Sequence, residues 1–315
     1  MSMYGTLEPA PSANSPSLPP VPQSLEDWKG ELFWKAMDLD GYRSFWRILE
    51  HRKPEHIQLV FSELKNQICP LMFDRFGGSV IICLSEVCDE PQMNELVSSL
   101  VADAQLLMLV CLNSNGYLWV LKFVERLRTP EQMSDVISAL QPLVPRLVKG
   151  QFGHHVIGHF FDIFPKHAKE TQPLLDAIAD TFFEMGTNPY GYPLLSKLLR
   201  SKIFLLENQP SILSKLIADV HQLSHDTYGC LVVQDVIELG MQDVQSDILA
   251  QLRGNFALMS MHKDAQCVVS ALIMESQGEL APQIYNELTS SPNFSRILQN
   301  PSGKDVIELA LTYIH

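Results

Sequence analysis

The chain repeats itself, and the repeat limits the fold more than any other feature. A small residue recurs as Gly41, Gly77, Gly116, Gly153, Gly191, Gly229, Ala265 and Gly303, at intervals of 36 to 39 residues. A fixed period in this range marks a solenoid of stacked supersecondary units. With the small residue as anchor, positions +3, +4, +7 and +8 are apolar in all eight copies, with only Ser44 and Ser85 departing. That spacing lays one apolar stripe along a helix. Three residues before the anchor stand Asp38, Asp74, Asn113, Asn188, Asp226 and Asn300, with Gly150 and His262 as exceptions. Asp and Asn there read as N-caps, and Pro189 and Pro301 follow two of them at the first helical position.

A first helix precedes each cap. Anchor −9 is apolar in every copy (Leu32, Ile68, Leu107, Val144, Phe182, Val220, Phe256, Phe294), and anchor −6 is apolar in all but the first, where Lys35 stands. Each unit is therefore two helices, and neither can bury its stripe alone, so neighbours must stack. No alternating strand pattern runs for more than a few residues. These patterns predict an all-α, right-handed α-solenoid of eight two-helix repeats over residues 25–315. Residues 1–24 hold six prolines and five serines and read as a disordered tail, with a PxxP-type ligand as the only function considered for it. From Leu25 the segment LEDWKGELFWKAM reads as helix, with Trp28, Leu32 and Lys35 on one side.

The strings at the caps, DRFGGSVII, GQFGHHVIG, NPYGYPLLS, HDTYGCLVVQDVIE and NPSGKDVIE, resemble the Pumilio (PUF) repeat. The period of about 37 residues also falls between the ankyrin and HEAT ranges. The resemblance covers about 290 residues and all eight repeats. It implies a crescent that binds single-stranded RNA, one base per repeat, in the 3′ untranslated regions of mRNAs, regulating translation and message stability. In that family anchor +1 and +5 bond the base edge and +2 stacks between bases.

Carried over position by position, the code is degenerate. The three positions read Tyr42, Arg43, Trp46; Gly78, Ser79, Ile82; Tyr117, Leu118, Leu121; His154, His155, Gly158. They continue as Tyr192, Pro193, Ser196; Cys230, Leu231, Gln234; Gln266, Cys267, Ser270; Lys304, Asp305, Glu308. The resemblance points to RNA contacts at Tyr42, Arg43, Tyr117, His154, His155, Tyr192, Ser196, Cys230, Gln234, Gln266 and Ser270. Cys230 with Gln234 is the one standard edge pair, which the family code associates with adenine. Pro193 predicts an irregular helix start in the fifth repeat, at a cost of about 3 kcal/mol.

Net charge is −13, which by itself argues against phosphate binding. Its distribution qualifies this. The second helices of the first five repeats carry eight Lys/Arg (Arg43, Arg47, Arg52, Lys122, Arg126, Lys197, Arg200, Lys202) against four acids. The last three carry Lys304 against five. RNA is therefore expected on the N-terminal part. The competing reading is a protein-binding helical-repeat scaffold that has lost RNA recognition, favoured by the acidic total and the apolar reading positions.

Other constellations carry less. His155/His159 and His221/His225 have zinc-ligand spacing without a third ligand, so no metal or other cofactor is expected. Cys83 and Cys88 read as core-edge thiols. There is no nucleophile elbow, P-loop or dinucleotide fingerprint, so no enzyme and no small-molecule substrate is expected. The longest apolar run, Leu106 to Leu112, is too short to span a membrane. Six cysteines without framework spacing fit a reducing compartment, taken as the cytoplasm. Regulatory proteins are expected on the convex face. The sequence stops twelve residues after the last anchor, where the family usually carries a closing half-repeat, so an apolar, pairing C-terminal end is expected.

Overall fold

The computed structural model describes residues 25–163, 168–201, 209–276 and 279–314. The tail read as disordered over 1–24, and Lys202, lie outside them. Among the described residues every regular element is helical. The chain forms two compact units, Met1–Leu140 and Gln141–His315, and each is built from the same module.

The module has a divided first helix. In the first unit Pro54–Leu64 and Ile68–Met72 lead into Arg75–Val87, and Glu90–Val101 and Ala104–Leu112 lead into Gly116–Val124. In the second unit Ala168–Asp180 and Phe182–Gly186 lead into Gly191–Leu199, and Gln242–Leu252 and Phe256–Met259 lead into Ala265–Glu275. The short middle segment carries anchor positions −9 and −6. In the sixth repeat it is continuous with the long one, as Gln209–Ser224 before Gly229–Glu238. No single helix among the described residues is long and apolar enough to cross a membrane, and the one helix pair that would be so jointly, Glu90–Val101 with Ala104–Leu112, is bent by 86°.

The stripe is the core. Every +3, +4, +7 and +8 residue is buried except Phe161 and Leu311, which are half-buried. The two serines fit by bonding backward: Ser44 Oγ donates to the Asp40 carbonyl at 2.9 Å and Ser85 Oγ to Ile82 at 2.7 Å.

The corner between the short segment and the second helix is the same in all eight repeats. The N–H of the cap residue donates to the carbonyl of anchor −6: Asp38 to Lys35, Asp74 to Leu71, Asn113 to Val110, Gly150 to Leu147, Asn188 to Met185, Asp226 to Leu223, His262 to Met259 and Asn300 to Ile297. The anchor packs on that same carbonyl. A Cβ on Gly229 would lie 2.5 Å from the Leu223 oxygen, and one on Gly41 only 2.0 Å from Lys35 oxygen. Such approaches leave no room for a side chain without backbone movement. In every repeat but the fourth, where Gly150 has no side chain, the cap side chain then accepts from the anchor N–H, as Asp74 Oδ1 does from Phe76 and Gly77 at 2.8 Å each. His262, an exception by residue type, does the same through Nδ1, from Asp264 and Ala265 at 3.2 Å each.

Two expectations fail on local geometry. The second helix of repeat five begins regularly at Gly191, in the register of Gly116, Gly229 and Ala265, so Pro193 falls in its first turn. First-turn N–H groups have no partner within the helix, so the proline removes no bond. The segment from Leu25 is not one helix either. Leu25–Trp28 is a 3-10 turn, and Gly30 (φ +84°) breaks the path before Leu32–Ala36. The Gly30 N–H is held by the Glu63 carboxylate at 2.8 Å, and Trp28 rests on Phe45 with ring centres 5.8 Å apart.

Candidate nucleic-acid interface

The corner fixes the first turn of each second helix, so +1, +2 and +5 emerge at an equivalent place in every repeat. One helical turn separates +1 from +5, which puts both on one side. In repeat five that adjacency is felt electrostatically: Ser196 acts to lower the pKa of the Tyr192 phenol. Burial, followed by the nearby Asp235 charge, still raises the Tyr192 pKa, so the phenol keeps its proton.

The aromatic +1 residues also face a second partner. Tyr42 stacks on Phe76 with ring centres 5.5 Å apart, His154 on Tyr190 at 6.0 Å, and Tyr192 lies against Tyr228 at 6.4 Å. In each case the partner is the anchor −1 residue of the following repeat. Centre separations in this range suit offset aromatic pairs, worth about 0.5–1.5 kcal/mol each. Phe76, Tyr190 and Tyr228 were not singled out by the sequence reading. The signal was present as an aromatic before four of the eight anchors, but nothing in the sequence tied it to +1 of the repeat before.

His154 Nδ1 donates to the Gly150 carbonyl at 2.9 Å, which leaves Nε2 as an acceptor in the neutral ring. Burial lowers the pKa of His154, and burial with neighbouring His154 and Lys197 lowers that of the exposed His155. Both rings are thus suited to stacking and hydrogen bonding rather than to holding a phosphate by charge. Arg43 is part-exposed, with Asp40 3.9 Å away.

Repeat two has no open reading position. A Cβ on Gly78 would meet the indole of Trp119 at 2.1 Å, so the missing side chain is what seats that ring. Ser79 Oγ accepts from Trp46 Nε1 at 3.2 Å, and Ile82 is buried. In repeat six Gln234 is half-buried, while Cys230 is 3% exposed, with its thiol directed to the Thr227 carbonyl at 3.3 Å. In repeat seven the Ser270 hydroxyl donates to the Gln266 carbonyl at 3.0 Å. Tyr117 is half-buried.

Several cations of the second helices are committed elsewhere. Arg126 binds Glu86 at 2.6 Å, Lys197 binds Asp162 at 2.6 Å, and Arg200 bridges Asp235 and Glu238. These pairs join consecutive second helices at positions +6, +9 and +10. Arg47 instead lines a recess of about 290 Å³ with Ile48, His51, Lys53 and His56. The second-helix cations left outside such pairs are therefore fewer than the sequence count suggested. They concentrate at Arg43, Arg47, Arg52 and Lys122. Among the described residues no group of three His, Cys, Asp or Glu is placed to hold a metal ion. His221 closes the helix Gln209–Ser224 and His225 the turn after it, with ring centres 4.7 Å apart.

No protein-family model matches the chain. Curated proteins do. Pumilio homolog 12 of Arabidopsis thaliana is 29% identical over 301 residues, covering 95% of this chain and 50% of the relative. Putative pumilio homolog 7, chloroplastic, of the same plant is 31% identical over 300 residues, covering 94% and 44%. The chain spans about half the length of the curated relatives it matches. Among solved structures, the RNA-binding domain of yeast Puf5p bound to AAT2 RNA superposes with a TM-score of 0.75 at 18% identity, covering 89% of this chain and 82% of that one. The Puf4 RNA-binding domain bound to a 3′ UTR recognition sequence gives 0.73 at 23% identity, covering 90% and 87%. The fold is the helical-repeat solenoid of those domains.

Proposed function

We propose that this chain, a divergent member of the Pumilio (PUF) family, binds single-stranded RNA in the 3′ untranslated regions of mRNAs and regulates their translation and stability. The observation that carries the reading is the corner repeated in all eight units. A one-base-per-repeat reader needs its side chains presented at a constant place, and the cap, anchor and shared carbonyl supply that. The RNA-bound structural neighbours support the class of ligand.

The contacts would be unequal along the chain. Gln234, half-buried beside the sealed Cys230, would be the side chain that bonds a base edge in the family manner, and Gln266 with Ser270 would offer a second, weaker contact. Tyr42, Tyr117, His154 and Tyr192 present rings, with Ser196 adding a hydroxyl, and Arg43 and His155 stack. Stacking is worth about 1–3 kcal/mol per base and tolerates any base, so the chain would bind with less selectivity than a full-code reader. Regulatory proteins would use the face opposite the second helices. Six free cysteines fit a reducing compartment, for which we take the cytoplasm.

The test is selection from random RNA oligonucleotides with the full chain, alongside Arg43→Ala and Gln234→Ala. An enriched motif is expected, with one position relaxed in the Gln234 variant. Arg43→Ala should reduce the salt slope by about one. No enrichment, together with affinity for a protein ligand, would instead favour the scaffold reading.

A further inference from the structure

Second-helix cations at positions +6, +9 and +10 are neutralised across repeat boundaries, and Arg47 breaks that pattern. Arg126 reaches Glu86, Lys197 reaches Asp162, and Arg200 reaches Asp235 and Glu238. Arg47 is itself a +6 residue. The following repeat offers it buried Cys83 at +6 and, at +9, Glu86, which Arg126 already holds. Among the described residues Arg47 has no ion pair and no side-chain hydrogen bond, and the same is true of Lys53.

These two cations line one recess. Its volume is about 290 Å³, and its walls are Arg47, Ile48, His51, Lys53 and His56, four nitrogen-bearing side chains and no acid. Glu50 and Glu55 flank them in sequence but are exposed and stand outside the lining. A sharp turn brings the groups together. The helix Leu39–Glu50 ends at His51, Arg52 takes the left-handed conformation that stops it (φ +51°), and Pro54–Leu64 begins at once. Lys53 and His56 stand at the cap and the third residue of that helix, so its positive end faces the same place. His51 Nδ1 donates to the Arg47 carbonyl at 2.6 Å, which leaves Nε2 to accept in the neutral ring. The His56 ring has no hydrogen bond, and its Nδ1 is buried in that state. Buried polar atoms are nearly always paired, so this ring has unused bonding capacity.

We propose that the recess binds a phosphomonoester of nucleotide size. A monoester carries about 1.5 to 2 negative charges and three acceptor oxygens, which suits the unpaired Arg47 and Lys53 better than the single charge of a diester. It also enters a recess end-on, whereas a phosphodiester within a polymer must leave on both sides. The accepting His51 Nε2 and the unbonded His56 ring suit the hydroxyls of an attached sugar. The volume lies at the lower edge of the range for small-molecule clefts. The proposal does not rest on RNA binding.

The experiment is equilibrium dialysis of the full chain with inorganic phosphate, adenosine monophosphate and adenosine. Adenosine monophosphate is expected to bind, phosphate to compete with it, and adenosine to stay free. Arg47→Gln and Lys53→Gln should each weaken adenosine monophosphate about tenfold, the loss of one charge-assisted hydrogen bond. Both should melt like the wild type, since neither side chain has a partner in the fold. If Arg47→Gln melts earlier, the exposed Lys53 carries the test. Replacing the exposed Lys149, far along the sequence, by Gln should change nothing. Adenosine held as tightly as its monophosphate, no binding of either, or equal affinity in Lys53→Gln and the wild type overturns the proposal. Short RNAs with and without a terminal phosphate then compete with adenosine monophosphate. Displacement only by the phosphorylated RNA, or by no RNA, sustains the assignment. Displacement by the hydroxyl-ended RNA shows that the recess takes the diester of a chain and overturns it. If no RNA binds the chain while adenosine monophosphate does, the RNA reading fails and this site stands.

Discussion

Replacing Arg200 by alanine tests whether the second-helix cations serve the fold or a phosphate chain. Asp235, its partner across the repeat boundary, is 4% exposed, and its Oδ2 has no hydrogen-bond partner. The Arg200 guanidinium is the group that compensates this carboxylate, and Glu238 accepts from the same nitrogen at 2.8 Å. Stripping the partner from a fully buried pair costs about 3–5 kcal/mol. The Arg200 side chain is 53% exposed, so water can enter where it leaves. The expected loss is therefore nearer one charge-assisted hydrogen bond, about 2 kcal/mol. For a unit of this size that corresponds to a fall in melting temperature of about 4–8 °C. Asp235→Ala in the Arg200→Ala background should recover about half of the loss, because it removes the stranded carboxylate. Urea unfolding of the full chain and its three variants measures the cycle. The salt slope of RNA binding should not change in any of them. If Arg200→Ala unfolds like the wild type but flattens that slope, the cation belongs to the RNA and the structural assignment is wrong.

Two further outcomes follow from the same geometry. His262→Ala should cost about 1 kcal/mol, the usual worth of a cap, while His262→Asn should retain most of it; equal stability of all three in urea would show that the imidazole does not cap. His154 and His155 have pKa values below the ordinary imidazole value in the folded chain, so the unfolded chain takes up their protons first as pH falls. Their contribution is complete above about pH 6.5 and is lost as pH drops through that value toward the folded ones. His154→Gln combined with His155→Gln should therefore flatten the decline in stability between about pH 7.5 and 5.5, and an unchanged slope would refute the assignment.

The repeat was legible because everything that defines it is local. Stripe, cap and anchor lie within a dozen residues of one another, and propensity and periodicity act over that range. What escaped lies one repeat away. Tyr42 meets Phe76, Gly78 seats Trp119, and Arg126 reaches Glu86, each about one period apart. A period states that two residues belong to adjacent units, but not which way their side chains lean across the boundary. His262 escaped for another reason: a lone pair on a ring nitrogen serves a helix start as an oxygen does, although the residue type does not suggest it. The Pro193 expectation failed because the capping side chain, Asn188, stands three residues ahead of the first helical residue, Gly191, which moves every later position N-terminally in the helix.

If the +1 residues read bases as proposed, their ring contacts with the following −1 residue make recognition and mechanics share the same atoms. Tyr42, His154 and Tyr192 are each half of a clasp between neighbouring modules. An exchange at one of these positions made to alter the preferred base also loosens or tightens a joint. Under that reading, the alphabet of readable bases and the stiffness of the array could not drift independently. A reprogrammed variant should be judged by its melting curve as well as by its motif.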